Sequence, residues 1–143
     1  MSQLRLPFAK LSPAAYQGLL ATSAALGDSE LGVSLVELIY LRTSQINGCA
    51  YCLGMHAQAL READISQAKL DCLAGWRISE LFTPREKAAL AWAETLTHVS
   101  SQGAPDESYE PLKAHFSERE ISDLTFAVAL MNAFNRLAVG MKL

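Results

Sequence analysis

Asn47-Gly48-Cys49-Ala50-Tyr51-Cys52-Leu53-Gly54-Met55-His56 is the stretch on which the reading of the chain turns. Asparagine followed by glycine ends a helix well, because glycine readily takes the left-handed conformation that a C-terminal reversal needs. The stretch therefore marks the end of one helix and the start of the next. On that second helix Cys49, Cys52 and His56 stand at i, i+3 and i+7 and share one face. Two thiols and a base are thus brought within reach of one another.

Upstream, apolar residues from Val33 to Ile46 cover more than one face, which predicts a well-buried helix from about Gly32 to Ile46. Before it, Ser12-Pro13 reads as an N-cap with proline at the first helical position, opening a helix to about Leu26. Met1 to Leu11 has no clear period and reads as an extended arm. Downstream, the motif helix extends to about Ala63, and Ser66 caps a short helix ending at Gly75. Thr83-Pro84-Arg85-Glu86 is a capping box that opens a long helix through Val99. Ser101 to Pro105 reads as a loop, and Asp106 as the cap of a shorter helix over Glu107 to His115. Ser117-Glu118-Arg119-Glu120 is a second capping box. Its helix, to about Val139, is apolar almost all round and belongs in the centre of the fold or of an oligomer. No alternating strand pattern occurs. The prediction is an all-α single domain over residues 1–143, with six or seven helices and the CxxC at the start of a central one.

Half of the 143 residues are hydrophobic, which is rich for a small monomer and predicts either a large core or subunit contacts. A formal charge of −3 and scattered lysine and arginine argue against nucleic acid and against an electrostatic membrane anchor. The apolar runs Leu38 to Leu41 and Phe126 to Met131 are too short to span a bilayer, and Met1 to Pro13 lacks a signal-peptide core. A cytoplasmic protein follows. There, an odd count of three cysteines points to redox or metal chemistry rather than to a disulfide framework.

A reactive thiol must be a thiolate, and a helix N-terminus, a histidine and a CxxC context each favour that form. The stretch offers all three. Cys52 precedes His56 by one turn, the separation for a thiol–imidazole hydrogen bond, and Cys49 is the natural resolving partner. Glu37 interrupts an apolar helix that a reversal at Asn47-Gly48 folds back towards His56. Buried there, it is a candidate proton acceptor; turned to solvent, it is unremarkable. Tyr51 is either a pocket-lining residue or a core aromatic. Cys72 reads as a small core side chain, and His98 and His115 as partners of helix C-termini. Asn132, Asn135 and Arg136, if buried, need partners and fix helix–helix or subunit contacts.

Glu37, eleven intervening residues, Cys49-Ala50-Tyr51-Cys52 and then His56 resemble the motif of the alkylhydroperoxidase D (AhpD)-like group of the carboxymuconolactone decarboxylase superfamily. Leu41 to Gly48 is similar to that group's approach to the motif, and Met131-Asn132-Ala133-Phe134-Asn135-Arg136-Leu137 is similar to a C-terminal segment common in it. The resemblance implies an all-helical fold assembling into trimers or hexamers. It also implies a thiol peroxidase acting on organic hydroperoxides and hydrogen peroxide through an intramolecular disulfide. Carried over, Cys52 is the peroxidatic thiol, Cys49 the resolving one, His56 the proton acceptor and Glu37 the end of the relay. No metal or organic cofactor is implied, and a lipoyl- or thioredoxin-type protein would serve as reductant. Tyr51 departs from the pattern: the well-studied peroxidases carry a histidine there, and a phenol is no base near neutral pH. Three other readings remain open: a protein disulfide reductase or redox sensor using the same pair, a metal-binding scaffold with Glu37 as fourth ligand, and a cofactor-free decarboxylase relying on His56 and Glu37.

Overall fold

The computed structural model describes residues 3–143. Among them are nine α-helices: α1 (Phe8–Leu11), α2 (Pro13–Gly27), α3 (Val33–Asn47), α4 (Ala50–Glu62), α5 (Gln67–Asp71), α6 (Pro84–Thr97), α7 (Val99–Gln102), α8 (Asp106–Tyr109) and α9 (Glu118–Met141). Two 3₁₀ turns, Leu73–Gly75 and Glu110–Ala114, follow α5 and α8. No strand occurs among the described residues.

Local sequence sets most of the helix starts. Thr83 Oγ1 accepts the Glu86 amide at 3.1 Å while the Glu86 carboxylate accepts the Thr83 amide at 2.9 Å, closing the first capping box. Ser117 and Glu120 repeat the exchange at 3.1 and 3.0 Å and start α9. Ser66 Oγ accepts the Lys69 amide at 3.2 Å. Ser12 sits at the N-cap of α2 with Pro13 behind it, yet its side chain makes no capping bond, so proline's fixed φ is what starts that helix.

Helix α3 is the hub. It packs against α9, α4 and α6, and Leu35, Val36, Leu38, Ile39, Tyr40 and Leu41 are all buried along it. Helix α9 has the length and hydropathy of a membrane span, because its apolar residues are spread along the whole helix rather than held in one run. In this fold it packs on α3, α6 and α2, with Leu124, Ala127 and Val128 fully buried. Its far side leaves Phe126 60% and Val139 49% exposed, so α9 is less central than its composition predicts.

Several details differ from the sequence reading. The N-terminal arm is extended only in part: Phe8–Leu11 forms a helical turn, while Met1 and Ser2 lie outside the described residues. The predicted helices over 66–75 and 107–115 each break into a short α segment and a 3₁₀ turn, and α7 extends into the predicted 101–105 loop. Asp106 is the first residue of α8 rather than its cap, which is Pro105. Cys72 is exposed, not a core side chain, because the buried face of this stretch is formed by Leu70 and Leu73 and Cys72 falls outside it.

Candidate functional site

The site is built on the turn between α3 and α4. Gly48 adopts the left-handed conformation (φ 66°, ψ 37°). The Cys49 amide then reaches back to the Ser44 carbonyl at 3.1 Å and the Gly48 amide to Gln45 at 3.3 Å, a paired closure of the α3 C-terminus. Side chains from α9 fix the turn. Asn47 Nδ2 donates to Asn132 Oδ1 and to Asn135 Oδ1, both at 3.0 Å, and Asn135 Nδ2 donates to Ser44 Oγ at 3.0 Å. Asn132 and Asn135 thus fix a helix–helix contact within the chain. Arg136 is exposed and donates back to Asn132 one turn earlier.

Cys49 is the N-cap of α4, its sulfur accepting the Cys52 amide at 3.3 Å. The two cysteines are joined in a disulfide, with Cα atoms 5.3 Å apart. Both are buried, Cys49 to 1% exposure and Cys52 to 3%. They sit where the unpaired amides of the α4 N-terminus favour negative charge on a thiolate.

One turn further, His56 is buried, and its Nδ1 lies 2.7 Å from Glu37 Oε2 on α3. A carboxylate accepts, so Nδ1–H donates, and Nε2 is left with its lone pair. Nε2 is buried and has no partner in the protein. Glu37 is half-buried rather than buried: its side chain keeps 20% exposure while its partner keeps 6%. The Tyr40 ring lies 5.1 Å from the His56 ring. Burial, and then the charge of Glu37, push the Tyr40 hydroxyl's pKa well above the ordinary phenol value, so the group stays protonated.

A cavity of about 320 Å³ opens against these residues. Glu37, Tyr40, Cys52 and His56 form one polar part and Ser23 on α2 another, and mostly apolar side chains of α1, α2 and α9 close the rest. Cys49 is absent from that wall. Tyr51 belongs to it while remaining 51% exposed, which makes it a rim residue and not a core aromatic. Of the groups singled out in the sequence, Glu37, Tyr51, Cys52 and His56 converge on the cavity with Cys49 directly behind. Cys72, His98 and His115 are exposed and outside it. Among the described residues no group of three or more His, Cys, Asp or Glu is arranged to hold a metal ion. Sequence reasoning passed over Tyr40 and the role of Asn47. Tyr40 lies at i+3 from Glu37 and so on its face of α3, a spacing that could have found it.

A buried disulfide at a helix start, with a carboxylate–imidazole couple one turn on, defines an all-α protein with an AhpD-like fold. The chain belongs to the carboxymuconolactone decarboxylase family, whose model matches residues 13–95. It is 31% identical to the uncharacterized protein YdfG of Bacillus subtilis over 99% of this chain and 95% of that one. A protein of unknown function from Agrobacterium tumefaciens, ascribed to AhpD antioxidant defence, superposes with a TM-score of 0.93 at 38% identity, covering 98% of this chain and 96% of that one. An uncharacterized peroxidase-related protein from Silicibacter superposes with a TM-score of 0.81 at 26% identity, over 92% of this chain and 70% of that one.

Proposed function

We propose that the protein is a cytoplasmic thiol peroxidase that reduces organic hydroperoxides or hydrogen peroxide through a Cys49/Cys52 dithiol–disulfide cycle. One observation carries this reading: Cys52 and His56 share a cavity wall, with His56 Nδ1 fixed by Glu37 and Nε2 buried without a partner. In the disulfide form Cys52 has no proton to share. In the dithiol form we assign Nε2, one helical turn from Cys52 and otherwise unpaired, as the base that takes one.

The cycle balances as follows. His56 accepts the Cys52 proton, and the thiolate attacks one peroxide oxygen, breaking the O–O bond. Cys52 becomes a sulfenic acid, and the departing alkoxide takes a proton to leave as the alcohol (water, for hydrogen peroxide). The Cys49 thiol then attacks the Cys52 sulfur, forming the disulfide and releasing water. Two electrons leave the dithiol and two enter the peroxide. A dithiol reductant, lipoyl- or thioredoxin-type, restores the pair. Cys52 as the attacking sulfur is supported by its place in the cavity wall, from which Cys49 is absent. The relatives ascribed to antioxidant defence and peroxidase-related function are consistent with this chemistry. The apolar composition and the exposed Phe126 and Val139 favour a homo-oligomer, a trimer or hexamer in this reading.

Burial of both sulfurs also bears on the disulfide-reductase alternative. Cys49 and Cys52 are 1% and 3% exposed, and the cavity admits a small peroxide to Cys52 directly, which favours a peroxide over a folded protein disulfide as the oxidant. The test is peroxide-dependent loss of free thiols from the reduced wild type and from Cys52→Ser. The wild type should lose both motif thiols and Cys52→Ser should keep Cys49. Loss at equal rates in the two proteins sinks the assignment, and decarboxylation that survives removal of both cysteines would replace it.

A further inference from the structure

Cys52 lines the cavity yet is buried, so whatever reaches it from solvent has to pass the cavity walls. Those walls are not equally firm. Helices α2, α3, α4 and α9 each bury side chains in the core, whereas α1 buries none. A segment with so little buried surface opens at low cost. Phe8 on α1 nevertheless lines the cavity, half-buried, with its ring edge-on to Tyr16 at 6.1 Å. Tyr16 in turn meets Phe134 of α9 at 6.5 Å.

Among the described residues, two hydrogen bonds tie the arm over 3–11 to the rest of the chain, and both come from Arg5. Its amide donates to the Met141 carbonyl at 2.8 Å and its Nη1 to the Gly140 carbonyl at 3.2 Å. These are among the last carbonyls of α9, which no later amide of the helix satisfies. The Nη1 bond is exposed, so water can take its place. Ser12 is the joint between α1 and α2, outside helical geometry at φ −127° and ψ 63°. Its amide donates to the Phe8 carbonyl at 2.9 Å within α1, and its carbonyl accepts the Tyr16 amide at 3.1 Å within α2. Rotation about its own two dihedrals therefore moves α1 without breaking a backbone bond of either helix.

We propose that α1 is a lid, hinged at Ser12 and latched by Arg5, and that Phe8 sets the size of molecule that reaches Cys52. With the lid closed a small molecule enters; a bulkier one enters when Arg5 lets go and Phe8 swings off Tyr16. The lid stands on the geometry; that peroxides are what it sorts rests on the peroxidase reading.

Reduced wild type, Arg5→Ala and Phe8→Ala would be alkylated with iodoacetamide and with its bulkier N-benzyl analogue, the rate at Cys52 being read by peptide mass spectrometry. Exposed Cys72 in the same chain calibrates the two reagents. Relative to Cys72, wild-type Cys52 should react more slowly with the benzyl reagent than with iodoacetamide. Arg5 does not line the cavity, so its loss acts only through the latch. Removing its side-chain bond should raise the open population, and with it the benzyl rate at Cys52, about three- to ten-fold. Phe8→Ala should raise that rate at least as much, and neither variant should change the iodoacetamide rate by more than about two-fold. An unchanged benzyl rate in Arg5→Ala overturns the lid and leaves Phe8 a fixed wall. Equal acceleration of both reagents overturns it too, since that reports a more reactive thiol and not a wider entrance, as does a wild-type Cys52 that does not distinguish them. The expected alkylation pattern without oxidation of Cys52 by hydrogen peroxide or cumene hydroperoxide would uphold the lid and overturn the peroxidase reading instead.

Discussion

His56 donates its Nδ1–H to the Glu37 carboxylate at 2.7 Å, joining α4 to α3 across the Gly48 turn. The bond does two things. It fixes the imidazole ring and its tautomer, and it places a negative charge where an imidazolium formed by taking a proton from Cys52 would be stabilised. Because both residues are held by helices rather than loops, the geometry does not have to be assembled when a substrate arrives.

Glu37→Gln keeps the size of the side chain and removes the charge. Oxidation of the Cys52 thiol by cumene hydroperoxide, followed in a stopped-flow experiment, should slow on the order of 10²-fold, the low end of general acid–base contributions. The melting temperature should change little, since Glu37 is half-buried and one hydrogen bond can re-form. A rate within two-fold of wild type, on the same order-of-magnitude reasoning, would remove Glu37 from the relay.

Cys49→Ser separates the two halves of the cycle. Peroxide should still convert Cys52 to the sulfenic acid, because Cys52 lines the cavity and Cys49 does not. With no resolving thiol, the product should persist long enough to be trapped by dimedone and seen in the intact mass. In Cys52→Ser no such adduct should form at Cys49. The reverse pattern would exchange the roles of the two sulfurs.

Asn135 is fully buried and serves three partners, Asn47, Ser44 and the Met131 sulfur. Truncation in Asn135→Ala leaves the Ser44 hydroxyl short of a partner and opens space beside Met131. Urea unfolding should show a loss of about 2–3 kcal/mol, the cost of stranding buried polar groups. Arg136→Ala, whose side chain is exposed and bonds only within α9, should cost less than about 0.5 kcal/mol. Equal losses would mean that the asparagine network does not hold the turn.

Glu94 gives the pH prediction. Burial pushes its carboxyl pKa up, but hydrogen bonds from Trp76, Arg42 and Arg77 outweigh that and hold it below the ordinary value. The folded state therefore binds this proton less readily than the unfolded state. Its stabilising contribution is complete above the unfolded carboxylate range, about pH 4.3, and is lost as pH falls through the lowered folded value. Glu94→Gln should lower stability at neutral pH by roughly 1–2 kcal/mol. The gap from wild type should close on acidification, read from urea midpoints between neutral and acid pH. A gap that stays constant would show that the charge of Glu94 is not what stabilises the fold.

The sequence by itself determined the helical class, the capping boxes at Thr83 and Ser117, the break at Gly48, and the one-turn register of Cys52 and His56 on α4; Cys49, expected on the same helix, is its extended N-cap. These are local properties: a cap, a left-handed glycine and a 3.6-residue period are decided by residues a few positions apart. Local signals also explain what was misread. Apolar composition alone could not say that α3 rather than α9 is the hub, since that depends on how much of each helix its neighbours cover: most of α3 is buried, while α9 is buried along one side only. Nor could it say that Leu70 and Leu73 would face the core and leave Cys72 exposed between them. Only the tertiary structure decided that Glu37 reaches His56 while staying half-buried, that Asn47 is held by Asn132 and Asn135 from 85 and 88 residues away, and that α1, α2 and α9 close a mostly apolar cavity over Cys52. Tyr40 makes the distinction plain. In the sequence it is one more apolar-helix residue; its hydroxyl becomes an unpaired donor only when the packing of other helices takes it out of water without supplying a partner.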